Sequence, residues 1–269
     1  MPMIVFPEVS RVAFSIFNID IYWYAIAYIV GILLGYFYAI RVNLSLKLGF
    51  SKQEIERFLS FAIVGIIIGG RLGHVCFFEP EYYLDNPIKI LAIREGGMSF
   101  HGGLIGVVSA CALFCYMNKK QFLALADLTA ASVPIGLFLG RLANFINAEV
   151  VGKITTVPWG IVFPGAGPLP RHPSQIYEAL LEGIALFLVL FCVIKKQKRR
   201  KYIVGTLSST FCICYACFRF FVEFVREPDE ELNLMIVIYT GFSIGQWLCL
   251  PLAAYGAYLY FKVSNKVYT

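Results

Sequence analysis

Charge is what this chain has least of. Of its 269 residues, 15% are charged, against about 25% in a soluble domain, and the mean hydropathy is +0.72. A soluble globular domain is thereby excluded. No cleavable leader is expected either: no basic segment precedes the first apolar run and no small-residue cleavage site follows it, so that run is expected to be retained. Metal-ligand spacing is equally scarce. The cysteines (Cys76, Cys111, Cys115, Cys192, Cys212, Cys214, Cys217 and Cys249) all fall within apolar runs. Cys214 and Cys217 form a C-x-x-C that would suit a redox pair or half a zinc site, but no second pair stands at zinc spacing. Scattered in this way they read as small buried hydrophobes, not a disulfide framework. No metal and no cofactor is expected. The net charge of +6 would admit a nucleic-acid partner on a soluble surface. Here the basic residues cluster in short loops between apolar runs, so no nucleic acid is expected.

What the chain does have is apolar runs. A spanning helix needs about 20 mainly apolar residues, and such runs fall near 21–40, 58–78, 98–117, 122–146, 174–194, 202–224 and 233–260. The expectation is an all-α integral membrane protein, a single polytopic domain over residues 1–269 with seven transmembrane helices. The fourth and seventh runs are long enough to imply tilt or a break. Arg41, Lys47, Lys52 and Arg57 follow the first span, and Lys119 and Lys120 the third. Lys195, Lys196, Lys198, Arg199, Arg200 and Lys201 follow the fifth, and Lys262 and Lys266 lie in the tail. The opposite connections hold fewer, Arg11, Lys89, Arg94, Lys153, Arg171 and Arg226, and are acid-rich, with Glu79, Glu81, Asp85, Glu95 and the run EPDEE at 227–231. The positive-inside rule then places the N-terminus outside and the C-terminus in the cytoplasm.

Three arginines, Arg71, Arg141 and Arg219, fall within or near the outer ends of spans. A charge at the bilayer centre costs roughly 2.5–3.5 kcal/mol on insertion scales, so each needs a partner or a watery cavity. In CICYACFRFFVEFVREPD, Tyr215, Arg219, Glu223 and Arg226 recur at helical spacing and form one polar stripe among Phe, Val, Ile and Cys. Glu223 neutralises Arg219 at i,i+4 in the structural reading; the functional reading leaves one of the two arginines for an anion. In GRLANFIN, Asn144 shares a face with Arg141, and Glu149 lies about 80° around the helix. Gly136, Gly140 and Ala143 permit close helix approach and Asn144 can bond across helices, while Glu149 is the candidate that would make Arg141 purely structural. Asn147 is expected to cap the chain as it leaves the helix. GGRLGH at 69–74 echoes LGRLAN at 139–144; we read this as a chance recurrence of a small-residue packing pattern.

In EGGMSFHGGLIG two Gly pairs flank His101. Glycine tolerates irregular backbone at membrane depth, and histidine titrates near neutral pH, so His101 is a candidate base; an interface residue is the alternative. His74 is a weaker candidate. RHPSQIYEALLEG opens the fifth span, with Ser174 expected as N-cap after Pro173 and Glu178 and Glu182 one turn apart. Arg171 and His172 read as outer-loop contacts to lipid headgroups, and the loop 150–173 as reaching over the membrane surface. Together these features converge on an anion pocket in the outer half of the bundle. Arginine suits phosphate through its planar fork, and an intramembrane phosphate is most naturally a phospholipid headgroup. A transporter or channel for an anionic solute, with the arginines as its selectivity site, is the alternative from another class.

GGMSFHGGLIG, GRLANFINAEVVG, RHPSQIYEALLEG and FRFFVEFVREPD, in this order, resemble the hallmark segments of the bacterial phosphatidylglycerol–prolipoprotein diacylglyceryl transferase family, and WYAIAYIVG resembles its first-span motif. The resemblance runs from about Trp23 to the last span. It implies a multi-pass protein of the bacterial plasma (inner) membrane. Such a protein moves the diacylglyceryl group of phosphatidylglycerol onto the lipobox cysteine of a prolipoprotein signal peptide, forming a thioether and releasing glycerol phosphate. Its partners would be phosphatidylglycerol, the prolipoprotein and membrane lipid. By position in these motifs, the resemblance implies a lipid-binding role for Arg141, an essential role for Arg219, and His101 as base. Tyr24, Asn144, Glu149, Gly152, Tyr215, Glu223 and Arg226 fall on further functional positions. Ala143 stands where the family usually has Gly, which adds one methyl at a helix contact.

Overall fold

In the computed structural model, residues 4–7, 9–17, 19–77, 79–93, 96–198, 202–227 and 231–265 are described. Arg94, Glu95, Arg199, Arg200, Lys201 and Lys266, which entered the orientation reading, lie outside the described residues, as do Asp229 and Glu230 of the acidic run. The chain divides into two compact units, Met1–Leu46 with Asp127–Thr269, and Lys47–Ala126.

The larger unit opens with β1 (Ile4–Val5) and a hairpin of β2 (Val12–Ile16) and β3 (Ile19–Tyr22), which runs without a linker into α1 (Trp23–Leu46). α1 continues six residues past its expected end and stops where Lys47 turns left-handed at φ +55°.

In the smaller unit α2 (Lys52–Phe77) starts six residues before the apolar run does. The cause is a capping box: Ser51 N–H donates to Glu54 Oε2 at 2.8 Å and Glu54 N–H to Ser51 Oγ at 3.1 Å, satisfying two orphan donors reciprocally. After α3 (Pro80–Asp85) and a 3-10 turn at Pro87–Leu91 comes α4 (Phe100–Asn118). α2 and α4 meet along a glycine seam. A Cβ on Gly65, Gly69 or Gly73 would run into Gly102 or Gly106 backbone, and the reverse holds for those two. Glycines four apart let two backbones approach without a hydrophobic driving force. The glycines around His101 therefore divide by role. Gly96 and Gly97 take positive φ in the connection, whereas Gly102 and Gly103 lie inside a continuous helix. Of the second Gly pair, Gly102 belongs to the packing seam, and neither glycine makes the backbone break expected there.

α5 (Phe122–Ile146) enters the larger unit at Asp127 and is followed by β4 (Ile161–Val162), which pairs in parallel with β1. α6 (Ser174–Glu178), a π-helical stretch (Ala179–Ala185) and α7 (Leu186–Lys198) form one continuous helix of 25 residues. α8 spans Thr206–Val222. Its N-cap, Gly205, has no side chain with which to cap the helix; the fully buried Asp127 of α5 supplies the cap. Asp127 accepts from the Gly205 and Ser208 amides, the Ser208 hydroxyl and the Tyr202 phenol. The long seventh run, for which tilt or a break was expected, is broken into two helices, α9 (Glu231–Thr240) and α10 (Ile244–Asn265). Gly241 turns the chain at φ +76°. A second capping box, Ser243 with Gln246 at 2.9 and 3.2 Å, then starts the new helix.

The chain is mostly helical, and among the described residues five helices are long and apolar enough to cross a membrane: Trp23–Leu46, Lys52–Phe77, His101–Asn118, Phe122–Ile146 and Ser174–Lys198. α8 is apolar but shorter, at 17 residues.

Candidate functional site

Four helices of the larger unit bring polar side chains together. Arg141 comes from the last turns of α5, and its Nε lies 2.6 Å from Glu178 Oε2. Its Nη1 donates to Asn144 Oδ1 at 3.4 Å, and Asn144 Nδ2 donates to the Tyr24 hydroxyl of α1 at 3.2 Å. Arg219, from α8, places Nη1 3.0 Å from the same Glu178 oxygen and 3.4 Å from Glu182 Oε1, and Nη2 3.0 Å from Glu223 Oε2. Glu178 and Glu182 are wholly buried. Two guanidinium groups thus face three carboxyl groups, with Glu178 Oε2 shared between the arginines.

Local backbone explains the convergence. Glu178 closes α6 and Glu182 lies in the π-helical stretch, whose wider turn sets both acids toward Arg219. Such stretches occur mostly as single turns and cluster at functional sites. Gly183 in the same stretch packs on α5, where a Cβ would stand 2.7 Å from that of Phe138. On α10, Gly245 leaves room for Glu223: a Cβ there would lie 2.8 Å from its carboxyl carbon.

Of the residues singled out in the sequence, Tyr24, Arg141, Asn144, Arg219 and Glu223 are joined in this cluster. Tyr215 lies one turn before Arg219 on α8 and stacks on Phe211, with ring centroids 5.6 Å apart. The expected stripe ends at Glu223, because α8 stops at Val222 and Arg226 leaves the helix. Arg226 instead forms an isolated antiparallel bridge with Gly152. Gly152 must be glycine: a Cβ would stand 2.6 Å from the His172 carbonyl oxygen and 2.7 Å from that of Val225. Glu149 is not the partner of Arg141. Beyond α5 the chain turns through Ala148 and Val150 at φ +55° and +56°, and Glu149 approaches Arg11 at 3.9 Å instead. Asn147 does not cap. Its amide is buried, Oδ1 meets no hydrogen-bond partner, and the residue lines a cavity of about 390 Å3 with Phe6, Arg11 and Pro164. His101 opens α4 in the smaller unit, with its side chain exposed.

The fifth-span motif also departs from expectation. Pro173, not Ser174, is the N-cap, and Ser174 Oγ donates to the Val150 carbonyl at 3.0 Å. Arg171 binds the Ala166 and Gly152 carbonyls and Glu227. His172 Nδ1 stands 3.2 Å from the Tyr177 hydroxyl, and burial pushes its imidazole below the ordinary value.

Glu178 and Glu182 were noted in the sequence one turn apart but given no role, and Gly245 was not noted. The two acids carried a readable signal, a pair four apart on an otherwise apolar helix, the same rule that exposed Arg219 and Glu223. Gly245 carried none. The echo between 69–74 and 139–144 proves chemically empty. In the smaller unit, Arg71 is buried and spends its guanidinium on backbone carbonyls of Lys89, Ile90, Ala92, Gly96 and Gly97. Arg141 meets carboxylates.

Two kinds of comparison bear on this arrangement. The profile of a family described as prolipoprotein diacylglyceryl transferase matches residues 11–262. The chain is also similar to proteins named phosphatidylglycerol–prolipoprotein diacylglyceryl transferase. It is 46% identical to that of Rickettsia felis over 262 residues, 97% of this chain and 99% of the relative. To that of Rickettsia typhi it is 44% identical over 263 residues, covering 97% and 100%. To that of Rickettsia bellii it is 43% identical over 265 residues, covering 98% and 99%.

Proposed function

The chain belongs to the prolipoprotein diacylglyceryl transferase family, and on that premise we propose that it transfers the diacylglyceryl group of phosphatidylglycerol to the lipobox cysteine of a prolipoprotein. The observation that carries the reading is the pair Arg141 and Arg219, held by one buried carboxylate at 2.6 and 3.0 Å. Arginine offers five donors in a fixed fork, so anchoring each guanidinium by some of its N–H groups leaves others for a phosphate. In the transfer the cysteine sulfur forms a bond to the terminal glycerol carbon of the diacylglyceryl group. The bond from that carbon to phosphate oxygen breaks, and glycerol phosphate departs with its charge increased. Guanidinium groups already fixed in a dry site favour that change without reorganising. Glu178, Glu182 and Glu223 orient them, and Tyr24 of α1 braces Arg141 through Asn144. The thiol, with an ordinary pKa of about 8.5, reacts as its thiolate, and His101 is the proposed base on the strength of its motif.

In this reading α8 and α10 join the five long apolar helices to make seven spans in a single polytopic domain. The N-terminus is outside and the C-terminus cytoplasmic, in the bacterial plasma membrane. The basic residues after α1, α4 and α7 support that orientation. The alternative of an anion transporter draws no support from the echo of Arg71 and Arg141, whose partners differ in kind.

The test is direct. Purified protein is incubated in detergent with labelled phosphatidylglycerol and a lipobox peptide, and mass spectrometry looks for the thioether. Folded protein that forms none overturns the proposal.

A further inference from the structure

We propose that the β2–β3 hairpin is a second membrane-contacting element, lying in the lipid headgroup–acyl boundary beside the point where α1 enters the bilayer. The sequence alternates along both strands. The register pairs Phe14 with Ile21 and Ile16 with Ile19, and between them Ser15 with Asp20. Side chains alternate across a strand, so Phe14, Ile16, Ile19 and Ile21 share one face. Ser15 and Asp20 share the other, joined by the Ser15 hydroxyl donating to Asp20 Oδ1 at 2.6 Å. Phe14, Ile16 and Ile19 are exposed, and at the turn Phe17 is 96% exposed, on a left-handed φ of +46° that presents it at the tip.

A hairpin with one wholly apolar face and an exposed aromatic tip is poorly suited to water, where an isolated two-stranded ribbon is marginal at best. Its position selects the occupant. β3 ends at Tyr22 and α1 begins at Trp23, so the hairpin is fixed to the end of a helix long and apolar enough to span. The junction reads Tyr22, Trp23, Tyr24, the residue types that settle at a membrane–water interface. Strands of this length reach roughly 15 Å from that junction, which keeps the tip at interfacial depth. The polar Ser15–Asp20 face suits the headgroup side. At the hairpin base, Trp23 N–H donates to the Arg11 carbonyl at 3.2 Å and Arg11 pairs with Glu149. Lipid contact at the tip would thus help hold the end of α1 that carries Tyr24.

This inference rests on α1 crossing the bilayer and not on the transferase reading. The test uses the full chain in phosphatidylglycerol-containing liposomes, with a benzophenone amino acid installed singly at position 17, at position 20 on the polar face, or at position 33 on α1, where Leu33 is exposed. After irradiation the products are identified by mass. Lipid adducts at position 17 matching those at 33 and several-fold above those at 20 are expected. Adducts at 33 without adducts at 17 overturn the proposal, as does crosslinking of position 17 to a second copy of the chain. Failure at both 17 and 33 overturns the spanning of α1, and with it this proposal, while leaving turnover in detergent to be judged separately.

Discussion

Glu178 places Oε2 2.6 Å from Nε of Arg141, a contact between α6 and α5 made in the interior by a carboxylate with no exposed surface. The acid is thus as much part of the site as the arginine it holds. Removing one partner of a buried pair typically costs about 3–5 kcal/mol, because the other charge is left uncompensated. Glu178→Gln is expected to lower both turnover and thermal stability in detergent, since it strips the shared oxygen charge from Arg141 and Arg219 together. Wild-type turnover in this variant would show that the pair is held by something else.

Arg141→Ala and Arg219→Ala are each expected to reduce transfer by at least about a hundredfold, the size of losing a donor worth roughly 2.7–4 kcal/mol in the transition state, while the protein still inserts. Arg141→Lys keeps the charge but not the fork and is expected to rescue only a minor part. The contrast is Arg71→Ala. Its guanidinium serves backbone carbonyls and the Tyr83 ring, so the variant should lose yield and melting temperature and leave the surviving folded fraction with near-normal specific activity. Parallel transfer assays and unfolding scans decide between these patterns.

Gly245→Ala tests the room left for Glu223. The new methyl would meet the far end of a flexible side chain, so the carboxyl group moves and the backbone stays. Folding is expected to be retained and transfer to fall about tenfold, on the order of 1.4 kcal/mol in barrier. Unchanged kcat/KM would mean that the Glu223–Arg219 contact is dispensable.

His101→Gln tests the proposed base through the pH profile. With a base, the thiol is ionised below its own pKa; without one, rate follows the thiolate fraction, which rises toward a pKa of about 8.5. The variant is expected to be slow near neutrality and to approach wild type as pH climbs. Parallel profiles for the two proteins would remove His101 from that role.

Much of this was legible in the chain because each rule needed only local spacing. The apolar runs located the helices. Charges in those runs singled out Arg141 and Arg219, and the four-residue interval paired Arg219 with Glu223. What spacing cannot supply is which helix faces which. Glu178 was visible as an acid at the start of an apolar helix, but its service to two arginines on two other helices is tertiary. The same limit bears on Glu149: about 80° of helical arc made it a candidate partner of Arg141, and left-handed turns at Ala148 and Val150 carry it to Arg11 instead. The early start of α2 was in fact written in Ser51 and Glu54, but hydropathy outweighed capping in placing it.

The π-helical stretch at Ala179–Ala185 has a consequence of its own. It makes one residue there surplus to an α-helical count. Deleting Leu180 would let the ladder close as an ordinary helix, keeping the lipid-facing and core-facing sides of α7 as they are. Glu178 would then stand three residues before Glu182 instead of four, without the wider turn between them. The helix would survive as a membrane segment, with the joint hold of Glu178 and Glu182 on Arg219 disturbed. One surplus residue thus sets how two buried acids are presented to two arginines.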